Sequence, residues 1–417
     1  MIGFKETDLG SIPNDWGFVR FEKVAELRHG HQFRSYDFTE DGIKIVKITQ
    51  IKGNGNMDIS SCSFVDINRI DEFQGDIIMK GDILIALTGA TIGKIARCNS
   101  HEVLLQNYRV GNFFSKNEKK LCRNYLYQFL RSNYFFHQIL ARQTQSAQQN
   151  IGKDEINSMN LFLPSIEEQK AIAKVLTAFD DKIELLQAQN KTLETMAQTI
   201  FKEWFGKYQI GDELPDGWKV GRLRDLGDII CGKTPSKADK ENFGGNIPFI
   251  KIPDMHNQMF IIKTSDSLTK KGVSTQKNKL IPKNSICVSC IATVGLVSIT
   301  SKDSQTNQQI NSILPFNDSC REFIYFKVKG LHKYLQDIGS GGTATLNVNT
   351  RSFSNIEIII PNIKKLNAFN IIVNPMFEKI FDNYSQIESL TKTRDTLLPK
   401  LMSGQVRVNK LKQTADA

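Results

Sequence analysis

The 417-residue chain repeats itself at long range. "SIPNDWGFVRF", beginning at Ser11, is answered by "ELPDGWKVGRL" at Glu213, so that Trp16 and Trp218, Pro13 and Pro215, and Gly30 and Gly232 each lie 202 positions apart. "GIKIVKITQI" from Gly42 is answered by "NIPFIKIPDM" from Asn246. "KGDILIALTGATIG" from Lys80 is answered by "KNSICVSCIATVG" from Lys283 with one residue fewer, and "INSMNLFLPSI" from Ile156 by "FSNIEIIIPNI" from Phe353. Four echoes in one order mark a duplicated module of roughly 200 residues, well beyond the 20–50-residue period of solenoids. Length points the same way, because a single core stops growing near about 250–300 residues.

Within each copy the first part reads as short strands separated by Gly, Asn and Asp turns, with a helical patch near "NYLYQFLRSNYFFHQIL". Each copy then turns helical at a proline, Pro164 or Pro361. From Ile172 the seam runs Leu176, Phe179, Ile183, Leu186, Asn190, Leu193, Ala197, Ile200, Trp204, spaced four and three alternately as in a coiled coil. The second seam keeps the same register 197 residues on: Phe369, Val373, Met376, Ile380, Asn383, Ile387, Leu390, Arg394, Leu397, Leu401. Pro375 is expected to kink or restart this second helix, since proline removes a backbone bond. Two helices packed separately on their own domains are the plainer alternative; the shared register argues for a pair.

The two asparagines set the direction. In a parallel pair Asn190 would face Ile387 and Asn383 would face Leu186, burying two amides against leucine and isoleucine. In an antiparallel pair Asn190 meets Asn383, and of the other layers all are apolar except the mixed one of Phe179 with Arg394. An unsatisfied buried amide costs roughly 1–3 kcal/mol, so the antiparallel pair is expected, with the asparagines fixing its register. A seam of this length spans about 45 Å at ~1.5 Å per residue, comparable to the ~34–36 Å between half-sites read by DNA-binding dimers.

Composition narrows the partner. Fifty-four Lys and Arg against 44 Asp and Glu leave a net charge of +10, which favours a polyanion, most commonly a nucleic acid. No apolar run approaches the ~20 residues of a membrane helix, and "MIGFKETDLG" lacks the pattern of a signal peptide, so a cytoplasmic protein without membrane contact is expected. Of seven scattered cysteines only Cys287 and Cys290 have ligand-like spacing. They fall in a strand-like run, where buried thiols are expected rather than metal ligands. His29 and His31 in "HGH" read as a polar loop.

The chain resembles the specificity subunit of Type I restriction–modification enzymes over essentially its whole length. The resemblance is carried by "IPNDW" and "LPDGW", by "LPSIEEQKAIAKVL" at the first helix, and by "TRDTLLPKLMSGQVRV" at the second. It implies an α+β fold: two duplicated mixed α/β target recognition domains (1–163 and 207–360) separated by central and distal conserved helices (164–206 and 361–417). The helices would form an antiparallel coiled coil with pseudo-twofold symmetry. The function implied is to read an asymmetric, bipartite double-stranded DNA target and to dock methyltransferase subunits, two in number, and restriction/motor subunits. The second copy departs from the pattern with "PNIKKLNAF" in place of "PSIEEQKAI", so its docking surface is expected to differ.

Catalytic signatures are missing from the sequence. "NPMF" at Asn374 only approaches a methyltransferase motif, and "GATIGKI" at Gly89 falls one residue short of a phosphate loop. The chain is therefore expected to be non-catalytic and to bind no cofactor itself, with S-adenosylmethionine, Mg²⁺ and ATP on its partners. Phosphate contacts are expected from Thr88, Thr91 and Lys94 and from Ser340, Thr343 and Thr345. Base contacts are expected from the diverged loops that follow a repeated strand: Lys47, Gln50, Lys52, Asn54 and Asn56 in the first copy, Lys251, His256, Asn257 and Gln258 in the second, with Arg142 and Gln145 as further candidates. The alternative is a non-catalytic scaffold whose duplicated domains bind protein or carbohydrate through the same loops.

Overall fold

A computed structural model describes residues 3–53, 55–143, 150–340 and 346–408. The polypeptide divides into two compact units, Met1–Lys182 with Thr391–Ala417, and Ile183–Leu390. Each unit draws on both of two long helices, Ile166–Phe205 and Ile363–Met402, of 40 residues each. The first helix is capped by Ser165, whose Oγ accepts from Glu168 N at 3.3 Å, and the second by Asn362, whose Oδ1 accepts from Lys365 N at 2.9 Å. Such caps supply partners for orphaned helix-start amides, and each prolyl peptide lies just outside. Pro375 does not restart the second helix, which continues through it. Pro375 is exposed, so the carbonyl it leaves unpaired faces water, where the loss is best tolerated.

The two units are built alike. In the first, strands Ala25–His29, Val110–Ser115, Ile83–Ala86 and Ile95–Arg97 lie in that order, antiparallel throughout. In the second, Gly227–Cys231, Ile310–Pro315, Ile286–Ser289 and Val297–Thr300 repeat the arrangement, and Phe260–Ile261 is added parallel at the edge. Beside each lies a smaller sheet centred on a parallel pair, Ile43–Val46 with Leu104–Gln106 and Phe243–Ile250 with Gln305–Thr306.

Strand Ile83–Ala86 reads as a continuous apolar run because both of its faces are covered. Ile83 and Ile85 point into the core shared with the helices, Leu84 and Ala86 into the core under the smaller sheet. Its counterpart does the same with cysteine. Cys287 and Cys290 are free, buried thiols in separate cores, and burial pushes them up to about 12 and about 11. Protonated thiols facing opposite ways make poor metal ligands. The "HGH" segment is less polar than expected: His31 packs on the rings of Phe33 and Phe73 at 4.9 and 5.0 Å, near Asp76.

The first unit brings three of the quoted motifs together. Trp16, 1% exposed, donates its indole N–H to Glu168 at 3.0 Å. Glu168 also accepts from Arg407 at 2.7 Å, and Arg407 pairs with Asp15 at 3.0 Å. Gly404 is required at this junction, because a Cβ there would sit 2.5 Å from Pro13. In the second unit Lys365, the counterpart of Glu168, lies 3.8 Å over the Trp204 ring, and Trp218 packs on Phe205 and Tyr208. The "KK" departure thus exchanges an indole hydrogen bond for a cation–π contact.

Candidate nucleic-acid interface

The loops expected to read bases begin with the same turn in both units. Lys47 N donates to Gln50 Oε1 at 3.0 Å, and Lys251 N donates to Asp254 Oδ2 at 2.9 Å. Gln50 is therefore not offered to a base edge. It is 3% exposed, accepts also from Thr49, and spends its amide N–H on Ser61 O at 3.0 Å. Lys47 is similarly engaged, donating to Ser63 Oγ at 2.6 Å across the Phe38 ring, and Lys251 pairs with Asp266 at 2.8 Å. The exposed Lys52 donates to Thr49 O and lies 3.5 Å from Asp58, and Asn56 is half-buried with its carbonyl on Lys52 N.

His256, Asn257 and Gln258 present a different case. Their side chains are exposed, and among the described residues none makes a hydrogen bond or ion pair. Their backbone is held: Tyr384 Oη donates to Asn257 O at 3.5 Å and accepts from Met259 N at 3.2 Å, while Ser298 Oγ donates to Gln258 O at 2.6 Å. Uncommitted polar side chains on a fixed main chain suit base-edge recognition, because little backbone order has to be created on binding.

The turn after the central strand is also repeated. Ile151 N donates to Leu87 O and Val348 N to Cys290 O, while Thr88 bridges Asn150 as Ile291 bridges Asn347. Gly89 at φ +69° and Ala292 at φ +64° then occupy the same left-handed position. Thr91 Oγ1 donates weakly to Thr88 O at 3.4 Å, and the Thr88 hydroxyl is buried with no partner among the described residues. Lys94 crosses Gly53, whose added Cβ would lie 3.7 Å from Lys94 Cε, and among the described residues its ammonium makes no hydrogen bond or ion pair. Arg142 is committed to Gln138 O and Ser158, and Ser340 to Asp337 O. Asn54, Gln145, Thr343 and Thr345 lie outside the described residues.

Lys94, Gly53 and Gly93 line a pocket of about 430 Å³ together with Arg131, Arg394 and Leu398. Behind it Asp180 accepts from Arg131 and Arg394 at 2.7 Å each and from Gln128 at 2.9 Å. Burial pushes the Asp180 carboxyl up, but the Arg131 charge and these hydrogen bonds outweigh it and hold the group below the usual carboxylate range. This cluster joins the helix Arg123–Leu130 region to both long helices. The sequence reading missed it, although the mixed layer of Phe179 and Arg394 was its signal: an arginine in a seam needs an acid within reach, and Asp180 is next in sequence to Phe179.

Within the second unit Asn383 Nδ2 donates to Asn190 Oδ1 at 2.8 Å, and Trp204 stacks 6.0 Å from Phe369. The helix segments of this unit therefore run in opposite directions. Among the described residues no helix is long and apolar enough to cross a membrane.

Comparison with known proteins agrees over nearly the whole chain. The family model described as Type I restriction modification DNA specificity domain matches residues 13–195 and again 215–396. The specificity subunit of the Type I restriction enzyme HindI from Haemophilus influenzae is 37% identical over 420 residues, covering 82% of this chain and 90% of that one. The MjaIX specificity subunit from Methanocaldococcus jannaschii is 28% identical over 443 residues, covering 98% and 97%. The crystal structure of a Type I restriction–modification S subunit from M. genitalium matches with a TM-score of 0.60 at 16% identity, over 93% of this chain and 96% of that one, a likeness of fold.

Proposed function

The chain belongs to the Type I restriction–modification DNA specificity family, whose domain it carries twice, and from that premise we propose that it is the non-catalytic subunit that reads a split, asymmetric DNA target for such a complex. The recognition domains are 1–163 and 207–360. The helical regions 164–206 and 361–417 form an antiparallel coiled coil about a pseudo-twofold axis, registered by Asn190 and Asn383, and it sets the gap between the two half-sites. Methyltransferase subunits, two in number, and restriction/motor subunits dock on this frame in the cytoplasm. S-adenosylmethionine, Mg²⁺ and ATP belong to those partners.

One observation carries the reading. Equivalent turns in the two units, each built on the same Lys-to-N3 cap, present unlike polar side chains: Lys52 and Asn56 in one, His256, Asn257 and Gln258 in the other. A duplicated frame with diverged tips is what two half-sites of different sequence require. Phosphate contacts fall to Lys94 and Thr91, since the Thr88 hydroxyl is buried, and base contacts to the exposed tips.

Methylation mapping in cells carrying this chain and its partners tests the proposal. A motif of two short unlike halves around a fixed unspecified gap is expected, and exchanging residues 207–360 for those of a relative should change one half alone. A continuous motif, or an exchange that alters both halves, overturns the reading. A scaffold for protein or carbohydrate would leave methylation unchanged and give DNA binding without a steep salt dependence.

A further inference from the structure

The strand after each repeated tryptophan opens on a site whose charge differs between the two units. Arg222 pairs with Glu357 in register as Arg20 pairs with Asn160, so these arginines are equivalent. Leu223 N donates to Ile356 O as Phe21 N donates to Met159 O, which makes Arg224 the counterpart of Glu22. Asn355 N donates to Arg351 O at 3.2 Å as Ser158 N donates to Asp154 O at 3.0 Å, which makes Arg351 the counterpart of Asp154. Two of the three arginines thus stand where the first unit has carboxylates.

In the second unit these arginines line a pocket of about 640 Å³ with Asp228, Ser354 and Asn355. Arg222 Nη1 donates to Asn355 Oδ1 at 3.2 Å, which fixes one guanidinium against the wall. Arg224 and Arg351 are exposed, and among the described residues neither guanidinium makes a hydrogen bond or ion pair. Three guanidiniums against one carboxylate leave the pocket positive. Each presents a planar fork of N–H donors that matches two oxygens of a phosphate, and a fork held in advance loses less freedom on binding.

The geometry points to a phosphate-group site formed by Arg222, Arg224 and Arg351, present in the second unit and absent from the first. Its phosphate comes either from a nucleic-acid backbone or from a free phosphate-bearing molecule. The assignment does not depend on the proposed function, since an anion pocket stands on its own chemistry.

The test uses the full chain and Arg224→Gln/Arg351→Gln, both exposed positions, with Lys364→Gln/Lys379→Gln as a control of equal charge. Thermal unfolding is followed in sodium phosphate against sodium chloride at matched ionic strength, and duplex DNA binding is titrated across salt. A phosphate-dependent rise in midpoint is expected in the parent and the control and should vanish in the arginine variant. If the phosphate belongs to DNA, the arginine variant also lowers the slope of log K against log salt by about 0.9 for each backbone phosphate left unneutralised, beyond any change in the control. If it belongs to a free molecule, only the thermal effect disappears. An arginine variant that matches the control in both measurements overturns the site. Installing Glu22→Arg/Asp154→Arg in the first unit should strengthen the phosphate effect.

Discussion

Asn383 donates its side-chain amide to Asn190 at 2.8 Å, with the two residues 1% and 6% exposed. The same amide also donates to Gln189 Oε1 at 2.9 Å, while Asn190 Nδ2 and Asn383 Oδ1 stay buried with no partner among the described residues. Hydrogen bonding in the layer is therefore incomplete, which limits what it adds to stability. Asn190→Leu should destabilise the second unit by roughly 1–3 kcal/mol, because it strands the partner amide. Asn190→Leu/Asn383→Leu should cost far less than the two single changes added together, and it should weaken the choice of register. A double-mutant cycle on denaturation midpoints measures the coupling, and additive effects would mean that the asparagines do not act as a pair.

Asp180 ties Arg131 and Arg394 in the first unit, and its folded-state pKa is depressed. A depressed carboxylate contributes stability that is present above its unfolded value, ~3.9, and lost as pH falls through the folded value. Asp180→Asn leaves the Arg131 guanidinium without its acid and Arg394 with Asp395 alone, and should cost roughly 3 kcal/mol near neutrality. The gap between parent and variant should hold from about pH 8 to about pH 5 and close below about pH 4. Unfolding midpoints across this range check it; a gap that widens in acid contradicts the role given to Asp180.

The central turn carries a strained residue in only one copy. Ala292 takes φ +64° where the first unit has Gly89 at φ +69°. A left-handed backbone costs an L-residue roughly 1–2 kcal/mol, partly offset because glycine is more flexible when unfolded, by roughly 0.5–1 kcal/mol. Ala292→Gly should therefore stabilise the second unit by up to about 1.5 kcal/mol, and Gly89→Ala should destabilise the first by a similar amount. A lower midpoint for Ala292→Gly would contradict the strain argument. Improved stability with weaker DNA binding would add a functional reason for the alanine.

These positions mark where sequence was enough and where it was not. The asparagine layer of the second unit was legible because the cost of a lone buried amide leaves few arrangements. A restart at Pro375 was not found, because a period says which face is apolar but not that the freed carbonyl meets water. Gln50 reads as a base reader in a polar loop, yet the turn consumes its amide as a cap, a local geometry that composition does not reveal. Lys52 and Gln50 are two residues apart and equally polar; only the backbone fold separates the exposed one from the buried one. The arginine pocket was invisible for a related reason, since Arg222, Arg224 and Arg351 are joined only by pairing of strands more than 130 residues apart.

Two kinds of contact should separate in DNA binding. Lys94, beside Gly53 and with an ammonium uncommitted among the described residues, is the phosphate contact proposed above. Lys94→Ala should weaken binding of the assembled complex evenly across sequences and reduce the salt slope by about 1. His256→Ala and Gln258→Ala sit on a held backbone with free side chains, so each should relax one position in one half of the target and leave the slope nearly unchanged. Removing a base reader costs roughly 1–3 kcal/mol of discrimination, a preference large enough to appear in methylation patterns. Should Lys94→Ala alter sequence preference, or His256→Ala alter only the salt slope, the two roles would have to be exchanged.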